Sequence, residues 1–507
     1  MQELLSVIPD VLHPYTVAAL LIGLVFGYVV GVLPGLNRVT ALAICLPFTY
    51  LMSPLAALAL LVGVSKGGAA GGAITSILLN TPGEPSSAAT CLDGYPLTRQ
   101  GKAGKALAMA LYAAVFGDLF ATVTLILVAA PLSRVALKMG PIEVCAVLVF
   151  SLTFIAALSG ESLTKGLIAG ALGIFFASVG MDSETAAPRL TFGFTELMDG
   201  MPLLAVGVGM LALSEMMVQM EQTVRGEDLR PLEDAGPKED RTVSREELRG
   251  SLRTLFRSSV VGVVVGILPG LGATIASFMG YSLAKRAAKN PARFGQGEVE
   301  GVAAAEAADN AVTAAALIPL FALGIPGSVA AAVLIGAFTA HGVTPGPLMF
   351  QNNARLIYGI YGMMILASLL ILPIGRLGLR AFSHVARIRE SLLCPAVVFL
   401  CFVGAFTEGN GMFAVWLCIG FGVLGYVMKK VDLSFVTFLI GFILGPMFEL
   451  SLRQTIILTG GSWGVLLKHP IALVFLAFTV VMGARLSRAK ASGRLGRAPR
   501  AVLAEET

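Results

Sequence analysis

A chain of 507 residues that is 56% hydrophobic and only 13% charged, with a mean hydropathy of +0.83, is too apolar for an aqueous globule. What remains is an all-α polytopic membrane protein, with room for about ten to twelve membrane segments at about 20 apolar residues each. The net charge of +5 does not signal a nucleic-acid binder, because the basic residues fall in loops and in the C-terminal tail, where Lys and Arg report membrane orientation.

In chain order, a first apolar span is expected at 12–33, ending at Leu33-Pro34-Gly35-Leu36. No Lys or Arg precedes it and no cleavage pattern follows it, so residues 1–33 are expected to stay in the mature protein. A second apolar region, 39–64, is bent near Pro47 and Pro54 and leads into a Gly-rich tract that breaks at Asn80-Thr81-Pro82-Gly83. Pro82 removes a backbone donor and Gly83 tolerates unusual dihedrals, so a helix should stop there with amides and carbonyls unpartnered. In hydrocarbon such groups survive only where they are buried in protein or line a wet cavity. Further spans are expected near 106–130, 142–159, 163–180 and 200–220, which closes a first membrane repeat, 1–220. Residues 221–257 are densely charged and read as a cytoplasmic linker.

The second membrane repeat, 258–486, opens with Gly262 to Leu271, which answers Gly27 to Leu36 nearly residue for residue. Pro131-Leu132-Ser133-Arg134 is answered by Pro373-Ile374-Gly375-Arg376, and Asp182 by Asp432. A second break, Gly324-Ile325-Pro326-Gly327-Ser328, follows a small-residue stretch from Glu306 as the first break follows Ser65. Two bundles related by duplication are therefore expected, and broken segments in matching positions point to a transporter's binding site. An apolar stretch at Phe435–Phe448 is much longer than the corresponding tract between Asp182 and Pro202 and is expected to add one crossing, which fits inverted repeats. The tail, 487–507, is basic and placed in the cytoplasm, with the N-terminus outside. Residues 258–284 are too short for two full spans and are expected to form a re-entrant hairpin.

The two breaks present half-helix N-termini whose amides attract carboxylate, which assigns Asn80, Thr81, Gly83, Gly324 and Gly327 to substrate binding, with a structural kink held by neighbouring helices as the alternative. Ser86, Ser87 and Ser328 add hydroxyl donors beside them. Lys66 and Asp309 are lone charges in apolar stretches, each costing on the order of 3 kcal/mol unless it faces a cavity or a partner. Lys66 is assigned to a substrate carboxylate, and Asp309 with Asn310 to the coupling ion; the two charges pairing with each other is the structural alternative, and Arg38 is weighted further towards structure. Valine at Gly83 or Gly327 is expected to abolish uptake without disturbing insertion.

The six cysteines are scattered and never form CxxC, so neither a disulfide framework nor a metal site is indicated. No organic cofactor is expected; the only accessory species is Na⁺ or H⁺ as a coupling ion. Gly63-Val64-Ser65-Lys66-Gly67 matches GxSxG, which keeps an intramembrane serine hydrolase using Ser65 and a histidine as an alternative, but no strand precedes it as the elbow requires. A carboxylate channel is the other alternative.

Taken together, Leu33-Pro34-Gly35-Leu36, Ile77 to Gly83, Asp93-Gly94-Tyr95-Pro96, Ile267 to Gly272, Glu306 to Ala311, Leu323 to Ser328 and His341-Gly342 with Pro345-Gly346-Pro347 make the chain resemble the large membrane subunit of tripartite tricarboxylate transporters, the TctA family. The chain departs from the family's usual pattern at Asn37-Arg38, Ser65-Lys66, Asp309 and Ala315-Ala316. The resemblance implies a non-enzymatic secondary importer of tricarboxylates or related carboxylates in a bacterial inner membrane. It also implies a periplasmic solute-binding protein and a small membrane subunit as partners, with an ion gradient in place of ATP.

Overall fold

A computed structural model of the chain describes residues 6–33, 36–158, 163–182, 184–224, 242–269, 271–385, 390–407, 411–460 and 462–491. Helices dominate. In order they are α1 (Ile8–Val11), α2 (Pro14–Val32), α3 (Arg38–Thr49), α4 (Pro54–Leu79), α5 (Ala88–Arg99), α6 (Ala103–Ala136), α7 (Pro141–Leu158) and α8 (Leu163–Ala177). A two-residue antiparallel pair, β1 (Gly180–Met181) and β2 (Pro188–Arg189), precedes α9 (Leu203–Val208) and α10 (Ser214–Val224). Then come α11 (Arg245–Ile267), α12 (Gly272–Ala287), α13 (Val299–Ala315), α14 (Leu317–Leu323), α15 (Val329–Ala340), α16 (Met349–Asn352) and α17 (Ala354–Val385). The series ends with α18 (Glu390–Thr407), α19 (Gly411–Lys430), α20 (Phe435–Thr459) and α21 (Pro470–Ala491).

Among the described residues eight helices are long and apolar enough to cross a membrane, and six shorter apolar helices accompany them. The chain is a multi-pass membrane protein. α20 covers the additional apolar stretch at 435–448. In the stretch at 258–284 one helix ends at Ile267 and the next begins at Gly272, but the first arm is longer than a short hairpin: α11 begins at Arg245, inside the stretch read as linker, with Ser244 and Glu247 closing a capping box. Residues 225–241 of the charged linker and 492–507 of the basic tail lie outside the described residues.

The chain forms two compact units, which do not divide at the linker. The larger unit takes 1–138 and 201–427, so it draws on both sides of the linker; the smaller takes 139–200 and 428–507.

In the larger unit α4 is enclosed along its whole apolar length, and the α13–α14 segment is 89% buried, whereas α19 is only 39% buried and has the surface of a lipid-facing helix. Glycine makes this enclosure possible. A Cβ at Gly23, Gly27 or Gly31 of α2 would stand 2.1–2.4 Å from the backbone oxygens of Leu60, Val64 and Gly68, and Gly63 and Gly67 of α4 reciprocate against α2. Such small-residue seams let helix backbones touch where lipid removes the hydrophobic driving force. The α11–α13 contact uses the same device, with Gly262 and Gly266 against Ala308, Ala311 and Ala315. The two helices that run into the breaks are thus the two most enclosed spans.

In the smaller unit α8 and α20 meet through Gly170, Gly173, Gly441 and Gly445. Arg453 of α20 donates to both Asp182 oxygens (3.2 and 2.6 Å) and to Glu449 (2.6 Å), while Arg189 grips Glu449 from β2. The Arg453 guanidinium holds the Asp182 carboxyl well below the usual carboxylate range.

Candidate functional site

The first break begins where α4 ends, with Asn80 left-handed at φ 56°. A short 3₁₀ turn, Pro85–Ser87, then leads into α5. The second break is built alike: Gly324 takes the left-handed position at φ 75°, and α15 starts at Ser328, whose hydroxyl accepts the Ala331 amide at 3.2 Å.

The left-handed residues are therefore Asn80 and Gly324, and Gly83 and Gly327 serve another purpose. A Cβ on Gly83 would lie 2.5 Å from the Gly31 carbonyl oxygen and 2.9 Å from Thr75 Oγ1; one on Gly327 would lie 2.7–2.8 Å from the carbonyl oxygens of Ala316 and Gly266. Each lets a break lie against a neighbouring backbone. The Gly327 amide is also taken, donating to Ala316 O at 3.2 Å. Valine at either position would consequently disturb packing, in addition to the loss of uptake expected from sequence.

A buried polar cluster sits at the first break. Arg38, the first residue of α3, places its Nε 3.1 Å from Glu84 Oε2, and its backbone N–H donates to Glu84 Oε1 at 2.8 Å. Its other guanidinium nitrogens reach Thr313 Oγ1 at 2.8 Å and Asp309 Oδ1 at 3.3 Å. Ser86 Oγ donates to Asp309 Oδ2 at 2.9 Å. One turn earlier on α13, Glu306 accepts from Thr90 Oγ1 and from Asn310 Nδ2, the latter at 3.3 Å. Glu84, Ser86, Thr90, Glu306, Asp309 and Asn310 are all at most 3% exposed. Three carboxylates with one guanidinium carry a formal charge of 1 − 3 = −2 when all are ionised, which a low-dielectric interior does not tolerate without protons or cations. Two buried hydroxyls next to the break, Thr75 Oγ1 and Ser87 Oγ, have no hydrogen-bond partner among the described residues.

Of the residues assigned from sequence, the structure brings Ser86, Asp309 and Asn310 into this cluster, with Ser87 beside it. Asn80 is exposed and Thr81 half-buried at the mouth of the break, where the Thr81 hydroxyl donates to Leu79 O. Gly324, Gly327 and Ser328 lie at the second break, and no hydrogen bond among the described residues joins them to the cluster; Thr313, which holds Arg38, lies one turn before Ala316, which holds Gly327. Lys66 stands about 20 Å from Asn80 along α4, given the helical rise per residue. Its ammonium is bound by Asp118 at 2.6 Å, so Lys66 and Asp309 pair with different partners and not with each other. Ser65 lies within the unbroken α4, a setting unlike a strand-to-helix nucleophile elbow.

Sequence reasoning missed Glu84, Glu306 and Asp118 as site-forming charges. Asp118 was readable as a lone carboxylate in an apolar span. Glu84 was readable as an acid immediately after a membrane break, where its cost demands a cation.

Comparison with known proteins agrees with this architecture. The family model "Tripartite tricarboxylate transporter TctA family" matches residues 17–440. Two Agrobacterium vitis proteins are similar. One, described as "Uncharacterized 52.8 kDa protein in TAR-I ttuC' 3'region", is 34% identical over 473 residues, covering 92% of each chain. The other, "Uncharacterized protein in TAR-II ttuC' 3'region", is 37% identical over 220 residues, 43% of this chain and 91% of that relative. No solved structure matches the chain. With a family match over most of its length, the protein belongs to the TctA family of tripartite tricarboxylate transporters, as a membrane transporter subunit.

Proposed function

We propose that this chain is the large transmembrane subunit of a binding-protein-dependent secondary transporter in a bacterial inner membrane, importing tricarboxylates or related organic carboxylates on a Na⁺ or H⁺ gradient. The observation that carries the coupling is the excess of buried carboxylate at the first break: Glu84 and Asp309 contact Arg38, Glu306 lies one turn away on α13, and among the described residues no second cation is paired with them. A cation or proton entering there cancels charge, and the cluster then accepts an anionic substrate at lower cost.

In this reading Asp309, with Asn310 and Glu306, holds the coupling ion. Ser86, Ser87, Thr81, Asn80 and the backbone at Gly83 meet the substrate from the first break, and Gly324, Gly327 and Ser328 from the second. Lys66 is left out of the binding set because its ammonium is already engaged. The repeated order of a long helix, a break and a half-helix supports two inverted repeats moving in alternating access.

The test is uptake into proteoliposomes holding this chain, its small membrane subunit and its periplasmic binding protein, under imposed Na⁺ or H⁺ gradients. Gradient-dependent accumulation is expected in wild type, and a fall of at least about tenfold in Asp309→Asn with binding-protein docking intact. Accumulation that Asp309→Asn leaves unchanged would remove Asp309 from coupling, and uptake that only equilibrates would favour a channel.

A further inference from the structure

A second buried polar cluster lies apart from the breaks, where α4, α6 and α17 meet. Lys66 Nζ has four oxygen neighbours: Asp118 Oδ2 at 2.6 Å, Ser368 Oγ at 3.0 Å, and Thr122 Oγ1 and Met364 O at 3.1 Å each. Lys66, Asp118, Thr122 and Ser368 are at most 2% exposed. Ser368 Oγ lies 2.6 Å from Asp118 Oδ2 and 2.8 Å from Met364 O, with one proton to give to either, and Asp118 Oδ1 is buried with no hydrogen-bond partner among the described residues.

An ammonium carries three protons, yet four oxygens converge on this one. A carboxylate, two hydroxyls and a backbone carbonyl form a hard-oxygen set of the kind that holds hard metal cations, and the spare Oδ1 is a further ligand. The single negative charge of Asp118 matches a monovalent occupant. We propose that α4, α6 and α17 form an alkali-cation site whose resident cation is the chain's own Lys66 ammonium.

The chain thereby supplies the ion that this cage requires, and the junction of the three helices is independent of external Na⁺ or K⁺. Shortening Lys66 empties the cage and leaves the Asp118 carboxylate buried in a polar void, which a free Na⁺ or K⁺ then fills. This inference does not depend on the proposed transport mechanism, since its readout is stability and its residues are outside the Arg38 cluster.

The experiment compares thermal unfolding of purified wild type, Lys66→Ala and Lys66→Ala/Asp118→Asn in detergent, with NaCl or KCl exchanged for choline chloride at constant ionic strength. The wild-type response sets the baseline, since it includes any Na⁺ taken at the Asp309 cluster. Lys66→Ala should gain at least about 2 °C in midpoint beyond that baseline by about 200 mM Na⁺ or K⁺, saturably, and the double variant should return to the wild-type response. Equal midpoints for Lys66→Ala in all salts would overturn the proposal by showing a void filled with water alone. A cation response of the same size in wild type or in the double variant would also overturn it. Where Lys66→Ala cannot be recovered without alkali cation, its recovery in NaCl or KCl supports the proposal. Its loss in every salt overturns it, whether or not the double variant folds, because a cage built for a cation accepts one.

Discussion

Arg38 is the residue on which the first break depends, because its guanidinium is the only cation among the described residues in contact with Glu84 and Asp309. Removing it leaves two buried carboxylates without compensation, which costs about 3–5 kcal/mol in comparable buried pairs. Arg38→Met is therefore expected to lower the unfolding midpoint steeply, Glu84→Gln moderately, and the double variant less than the sum of the two. A cycle of thermal unfolding measurements over these four proteins checks the expectation; additive effects would show that the two side chains are not coupled. The sequence exposed part of this arrangement. Asp309, Lys66 and Arg38 were recognisable as charges that an apolar surround does not tolerate alone. Which of the charges pair with which was not, because Arg38 and Asp309 are 271 positions apart and Lys66 and Ser368 are 302 apart, and composition carries no information on contacts of that range.

At the level of the element, the glycines of α2 and α4 decide how closely the bundle packs. A side chain at Gly67 meets Leu24 O at 2.3 Å and Tyr28 N at 3.0 Å and has nowhere to move, since both obstructing groups are helix backbone. Gly67→Val should split α2 from α4 and give aggregated protein. Gly420 of α19 has no atom within 4 Å of an added Cβ, so Gly420→Ala should be neutral or stabilising by about 0.4–1 kcal/mol. Monodispersity in detergent and the unfolding midpoint of the two variants test both statements, and equal behaviour would deny the seam its role. Both breaks were readable from Pro and Gly alone, whereas the roles of their glycines were not. Proline marks where a helix must end, but whether the next glycine supplies a left-handed turn or a close approach depends on what lies opposite it. Here Asn80 and Gly324 take the turn, and Gly83 and Gly327 the approach.

For the whole molecule, hydropathy was sufficient for a multi-pass helical protein, and motif order for its family. The compact units were hidden, because each is assembled from stretches on both sides of the linker. Orientation remains a matter of charge. The linker and the tail are rich in Lys and Arg, which is the reason to expect both on the cytoplasmic side, with the N-terminus opposite. That arrangement is what inverted repeats require of an odd number of crossings before the linker and an even number after it. Single cysteines at positions 3, 235 and 500 test it with an impermeant thiol reagent in whole cells. The background must first lose six free cysteines, of which Cys45, Cys145, Cys394, Cys401 and Cys418 are buried and Cys91 is half-buried. Alanine suits them, since it removes the thiol without adding a polar group to the interior. Position 3 should label in intact cells, and positions 235 and 500 only after permeabilisation. Labelling of 235 from outside, with 500 still protected, would put an even number of crossings before the linker and an odd number after it, with the N-terminus also outside. The two halves would then enter the membrane from the same side, and the alternating-access model would have to be rebuilt on parallel repeats.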